Sequence, residues 1–93
     1  MAVFDLNTLF CVVDGIYSKK DKDSFVVLTN DRKSIFELEG VAFDTWNHLQ
    51  NPISFRDLLE KIGKIYSVKQ NTLEEDLKNW IEEALEEKLI KIC

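Results

Sequence analysis

Near residue 40 the hydrophobic pattern of the chain changes period, and that switch constrains the fold more than any other feature of the sequence. Before it, β-branched and aromatic residues gather in short runs: Leu9 to Tyr17 reads LFCVVDGIY, Ser24 to Thr29 reads SFVVLT, and Ser34 to Leu38 reads SIFEL. Runs of this length and composition, bounded by turn formers, predict strands. Asp14-Gly15 offers a bulge or turn in the first run. The polar segment Ser18-Lys19-Lys20-Asp21-Lys22-Asp23 predicts a solvated hairpin loop, and Asn30-Asp31-Arg32-Lys33 a turn before the third run. Alternation in that third run puts Phe36 and Leu38 on one face, Ile35 and Glu37 on the other. The expectation is a three-stranded antiparallel meander over about 9–17, 24–29 and 34–38.

After residue 40 apolar residues recur with helical spacing. Ala42, Trp46 and Leu49 fall at i, i+4 and i+7, and Pro52 disfavours helical geometry at Asn51, so a first helix is expected over about 41–50. Ser54 and Asp57 form a capping box before Phe55, Leu58, Leu59, Ile62 and Tyr66, giving a second helix over about 55–66, with a loop from Ser67 to Asn71. Thr72 and Glu75 repeat the box, and Leu73, Leu77, Ile81, Ala84 and Leu85 define a third, strongly amphipathic helix over about 72–90. At about 100° per residue its core stripe centres between Leu73, Leu77 and Ala84, with Trp80 on one edge and Ile81 and Leu85 on the other. Three strands followed by three helices suggest an α+β domain of winged helix-turn-helix-like architecture, and either edge of the third helix can border a groove beside the sheet.

A chain of 93 residues is expected to be a single domain, residues 1–93, with one modest core. No apolar run approaches the ~18 residues a membrane span needs, so no membrane partner is expected. Charge is distributed unevenly. Residues 1–71 hold ten acids and nine bases, whereas residues 72–93 hold seven acids against Lys78, Lys88 and Lys91. An acidic third helix is a poor match for a phosphate backbone, which calls for Lys and Arg on one face; nucleic acid is therefore not an expected partner. Cys11 and Cys93 have no CxxC pair beside them, and nothing in their placement reads as a zinc site or a disulfide scaffold. The start of the chain lacks a basic region followed by a long apolar stretch. A cytoplasmic location with reduced thiols is the expectation.

Catalytic signals are weak. His48 is the one histidine and has no nucleophile or orienting acid in recognisable spacing. Glu74-Glu75-Asp76 are adjacent on a helix and point in different directions, which suits helix capping better than metal binding. Gly15, Gly40 and Gly63 form no phosphate-cradling motif. Lys19, Lys20 and Lys22 alternate with Asp21 and Asp23, so their field is weak. No enzyme activity, metal or cofactor is expected, and what remains is binding.

The stretch SIFELEGVAFDTWNHL, residues 34–49, is a strand ending in Leu and a polar residue, then a small residue, then a helix with Trp at the eighth place after that Leu. With FRDLLEKIGKIYSV after it and an acidic third helix ending in Glu-Glu-Lys-Leu-Ile, it resembles the PqqD-like family over roughly residues 9–92. That family comprises the leader-peptide recognition elements of pathways for ribosomally made, post-translationally modified peptides. The resemblance implies that the leader segment of a precursor peptide adds as a strand to the third strand and docks against the third helix. A separate modifying enzyme, such as a radical enzyme, a protease or a cyclase, then receives it. The implied pairing strand is Lys33, Ser34, Ile35, Phe36, Glu37 and Leu38; the implied cleft residues on the helix are Asp76, Leu77, Trp80, Ile81 and Leu85. For each apolar residue the competing reading is ordinary core. Two other functions stay open: a winged-helix nucleic-acid-binding or regulator domain, and a small scaffold subunit docking through the same edge. That edge could also pair with a second copy in a homodimer.

Overall fold

The chain runs β1 (Leu9–Val12), β2 (Tyr17–Asp21), β3 (Ser24–Leu28), β4 (Ile35–Glu39), α1 (Val41–His48), β5 (Ile53–Ser54), α2 (Phe55–Ile65), α3 (Gln70–Glu86) and β6 (Ile90–Ile92). This is the order in a computed structural model that describes residues 4–66 and 69–93. The α+β class holds. The strands, however, form two antiparallel three-stranded sheets where one was expected, in the orders β5-β1-β6 and β2-β3-β4.

The expected strand over 9–17 divides at its own turn signal. Gly15 has φ 88, and the Asn30 side-chain amide donates to the Asp14 carbonyl at 2.8 Å, fixing a bend between the sheets. A Cβ at Gly15 would meet that amide nitrogen at 3.0 Å, so glycine is needed there for space as well as for φ. Leu9–Val12 joins one sheet and Tyr17 opens a strand of the other. The expected loop over Ser18–Asp23 is mostly this strand, β2, paired with β3 down to Asp21↔Ser24, and only Lys22 and Asp23 turn. An edge strand is solvated on its outer side, so lysines are tolerated there; Lys20 additionally lies 5.4 Å from the Phe43 ring centroid, a cation–π distance.

The helices keep their expected identities with shifted ends. α1 begins after Gly40, at φ 60, and stops at His48 with Leu49 as its cap. The Ser54 hydroxyl accepts the Asp57 N–H at 3.1 Å, as a capping residue should. α3 begins at Gln70, so Thr72 lies within its first turn, and the cap position, Lys69, makes no side-chain capping bond. Of the loop expected from Ser67 to Asn71, Ser67 and Val68 lie outside the described residues.

α3 also ends earlier than position 90. Leu89 N–H donates to Ala84 O at 2.9 Å and Lys88 N–H to Leu85 O at 3.2 Å, with Lys88 at φ 60. These paired bonds around a left-handed residue are a Schellman turn. It releases Leu89 and Ile90 from the helix and sends residues 90–92 back as β6 beside β1, in the register Phe10↔Ile92, Cys11↔Lys91 and Val12↔Ile90. That pairing overturns the reading of the cysteines as unrelated reduced thiols. Cys11 and Cys93, 82 positions apart, have Cα atoms 5.9 Å apart and are joined as a disulfide.

One contiguous core draws on both sheets and all three helices, with Phe10, Val27, Trp46, Leu58, Ile62 and Leu77 fully enclosed. Fully burying each such side chain is worth about 1.5–3 kcal/mol. α1 packs on β3 and β4, α2 on α1 and α3, and the end of α3 on β6. Among the described residues no helix is long and apolar enough to cross a membrane.

Candidate functional site

β4 is an end strand of its sheet, bonded to β3 on one side. Thr29 N–H donates to Ser34 O at 3.0 Å, and this pair continues the β3–β4 register, in which Val27 faces Phe36 and Phe25 faces Leu38. Bonded and non-bonded pairs alternate in an antiparallel ladder. The backbone groups of Phe36 and Leu38 therefore turn toward β3, and those of Ile35, Glu37 and Glu39 turn outward. Side chains alternate the other way: Leu38 is buried and Phe36 half-buried on the core side, while Ile35 is 69% exposed on the outer face.

Beside this edge lies a cleft of about 330 Å³ between β4 and the C-terminal half of α3. Phe36, Leu38, Trp80, Ala84 and Leu89 give it apolar walls and a floor, and Glu83, Glu86 and Glu87 rim it. The Trp80 edge of α3 is thus the one turned to β4. Glu86 and Glu87 also border a second, more polar hollow of about 470 Å³, shared with Val13, Thr29 and Ser34 at the turn end of β4.

The residues proposed from sequence divide into four groups. Ile35, Phe36, Glu37, Leu38 and Trp80 meet at the edge and the cleft. Lys33 and Ser34 precede β4 and belong to its turn, where the Ser34 carbonyl accepts from Thr29 N–H and its amide donates to Thr29 Oγ1 at 3.1 Å. Leu77 and Ile81 are fully buried in the core and brace the cleft wall from behind without lining it. Leu85 is half-buried against the core from the far edge of the helix, and Asp76 is exposed one turn before Trp80, short of the cleft. The sequence reading missed Leu89 as a cleft residue because it kept Leu89 in the helix. A signal was present: on a continued helix Leu89 would sit roughly 180° from Trp80, outside the apolar stripe.

The turn that presents β4 is tied by Asp31. Its Oδ1 accepts from Thr29 Oγ1 at 2.7 Å and from Lys33 N–H at 3.0 Å. The Thr29 hydroxyl first, then the Lys33 amide, hold the Asp31 carboxyl below its ordinary value of 3.8. Away from the cleft, Tyr66 OH donates to Asp44 Oδ2 at 2.5 Å, strapping the end of α2 to α1. That hydrogen bond, aided by burial, raises the Tyr66 phenol above 10.0.

Among the described residues no cluster of three or more His, Cys, Asp or Glu side chains is arranged to hold a metal ion. The arrangement offers outward N–H and C=O groups along one strand, an apolar trough beside them and carboxylates on the rim. Such a surface suits an extended backbone with apolar side chains on one face.

Comparison with known proteins gives three findings. A solved structure, TbiB1 in complex with the TbiA(beta) leader peptide, superposes with a TM-score of 0.81 at 23% identity, over 87% of this chain and 94% of that one. No curated protein matches the sequence. The model of the family described as coenzyme PQQ synthesis protein D matches residues 24–90, from the first residue of β3 to the first of β6. The chain belongs to the PqqD family.

Proposed function

We propose that this protein binds the leader segment of a ribosomal precursor peptide without catalysing a reaction on it, and delivers it to a separate modifying enzyme. The leader adds as a strand to the outer edge of β4, and its apolar side chains enter the cleft against Trp80, Ala84 and Leu89. The observation that carries this reading is the coincidence of the outward backbone groups of Ile35, Glu37 and Glu39 with an apolar trough directly beside them. Family membership and the leader-peptide complex of TbiB1 support it. An acidic α3 runs against the nucleic-acid alternative.

Energetics divide the labour between backbone and side chains. Each added main-chain bond nets about 0.5–1.5 kcal/mol, and ordering a disordered segment costs about 2–5 kcal/mol. Edge bonds alone come close to cancelling that cost. Selection among peptides falls to the cleft, and the Glu83, Glu86 and Glu87 rim favours a leader carrying Lys or Arg beside its apolar anchors.

Ile35→Pro tests strand addition. It deletes an outward N–H while leaving the Phe36 bonds to β3 in place. Titration of the leader encoded beside the gene should show at least a tenfold weaker complex, about 1.4 kcal/mol, with circular dichroism unchanged. Undiminished binding by a folded Ile35→Pro protein would eliminate pairing at this edge.

A further inference from the structure

Cys11 and Cys93 meet on one face of the β5-β1-β6 sheet. Cys11 faces Lys91, and Cys93 N–H donates to Leu9 O at 3.0 Å, so Cys93 stands two residue pairs from Cys11 along the ladder, on the same face. The bond between them closes on a very short element. β6 has three residues, of which Ile90 alone is buried. Leu89 immediately precedes it and forms the floor of the cleft. Whatever holds β6 against β1 therefore also holds Leu89 under the site.

We propose that the Cys11–Cys93 bond is a redox-responsive clasp on β6, closed by oxidation and opened by small thiols, which sets how firmly Leu89 is kept in the cleft floor. The effect on ligand affinity rests on the leader-binding reading; the effect on β6 does not. Opening is thiol–disulfide exchange. A thiolate of a small dithiol attacks the sulfur of Cys93, the more exposed of the two residues, and the Cys11 sulfur leaves as a thiolate. The reagent's second thiol then closes on the mixed disulfide, releasing Cys93 and yielding the cyclic disulfide of the reagent. Two electrons pass to the protein, and the two protons of the dithiol end on Cys11 and Cys93. With the clasp open, three residue pairs remain, and a strand that short samples open forms readily. The core on the other faces of α3, centred on Leu73, Leu77 and Ile81, does not depend on the clasp. The outcome is loosening at one end of the cleft, with the fold retained.

The test compares the full chain after oxidised glutathione and after dithiothreitol, with a Cys11→Ser/Cys93→Ser variant beside it. Mass spectrometry with a thiol-alkylating reagent should count no free thiols after oxidation and two after reduction. Amide exchange at Val13 and Lys91, whose N–H groups belong to the β1–β6 ladder, should be at least roughly tenfold faster in the reduced protein and in the variant, while Leu58 and Ile62 in α2 change little. A synthetic leader should bind the reduced form roughly three- to tenfold more weakly, in proportion to the lost competent fraction, and the variant should match the reduced form in either reagent. Two thiols persisting after oxidation, or exchange at β6 indifferent to redox state, would overturn the clasp. Exchange that responds while leader affinity does not would overturn its coupling to the cleft. If no leader binds even the oxidised protein, leader binding is what has failed, and thiol count and exchange still judge the clasp.

Discussion

Lys88 occupies the left-handed position of the Schellman turn, at φ 60, where helices commonly place glycine. An L-residue there is disfavoured by about 1–2 kcal/mol, and the lysine side chain is exposed, so little is lost by removing it. Lys88→Gly should raise unfolding free energy by about 1 kcal/mol, read as a higher denaturant midpoint at unchanged slope. The same lysine explains why the helix end was hard to see in the sequence: the usual glycine stop was missing, and only the departure of Leu89 and Ile90 from the apolar stripe marked it. Tyr66 gives a second residue-scale prediction. Its phenol is raised above 10.0 because the neutral form donates to Asp44, so the stabilisation is full below that value and lost as pH climbs through the raised one. Phenolate absorbance in the wild type should show a late step, and Tyr66→Phe should abolish it.

At the scale of elements, legibility followed the density of local signals. β3, β4, α1 and α2 were readable because each carries its own punctuation: a compact β-branched and aromatic run in Ser24–Thr29, alternation in Ser34–Leu38, Pro52 after α1, and Ser54 with Asp57 before α2. β5 and β6 were not, since two- and three-residue strands have too few positions to show a period and exist only because β1 lies between them. β2 was hidden by its polarity, and the second sheet with it. For the site, Trp80 and Phe36 were legible as apolar residues beside a core stripe. Sequence could not separate them from Leu77 and Ile81, because burial at one edge of a helix depends on what packs there. The β3–β4 turn carries its own prediction. Asp31 is bonded as a carboxylate, with its proton affinity lowered, so its contribution is present above 3.8 and fades as pH falls below it. Asp31→Ala should lower the melting temperature at neutral pH, and the gap from wild type should close in acid; a constant gap across pH would remove the charged form from the account.

For the whole molecule, the acidity concentrated in the last quarter of the sequence becomes geometry: Glu83, Glu86 and Glu87 stand along the rim of the cleft. Exposed carboxylates act over a Debye length of about 10 Å at 0.1 M salt and about 3 Å at 1 M. Leader affinity should accordingly fall several-fold across that range, chiefly through slower association. A salt-independent dissociation constant would leave the apolar trough as the sole source of selectivity and remove the basic residue from the expected leader.

The pairing of Phe10 with Ile92 has a temporal side as well. The β2-β3-β4 sheet joins strands that are neighbours in sequence, so it closes short loops and can form early. The sheet holding β1 must wait for a strand translated some eighty residues later, and until then β1 has an unsatisfied edge. During synthesis, at about 5–20 residues per second, the edge of β4 exists for seconds before Leu89 arrives to close the trough beside it. Folding order thus forms the open edge of β4 first and the apolar trough beside it last.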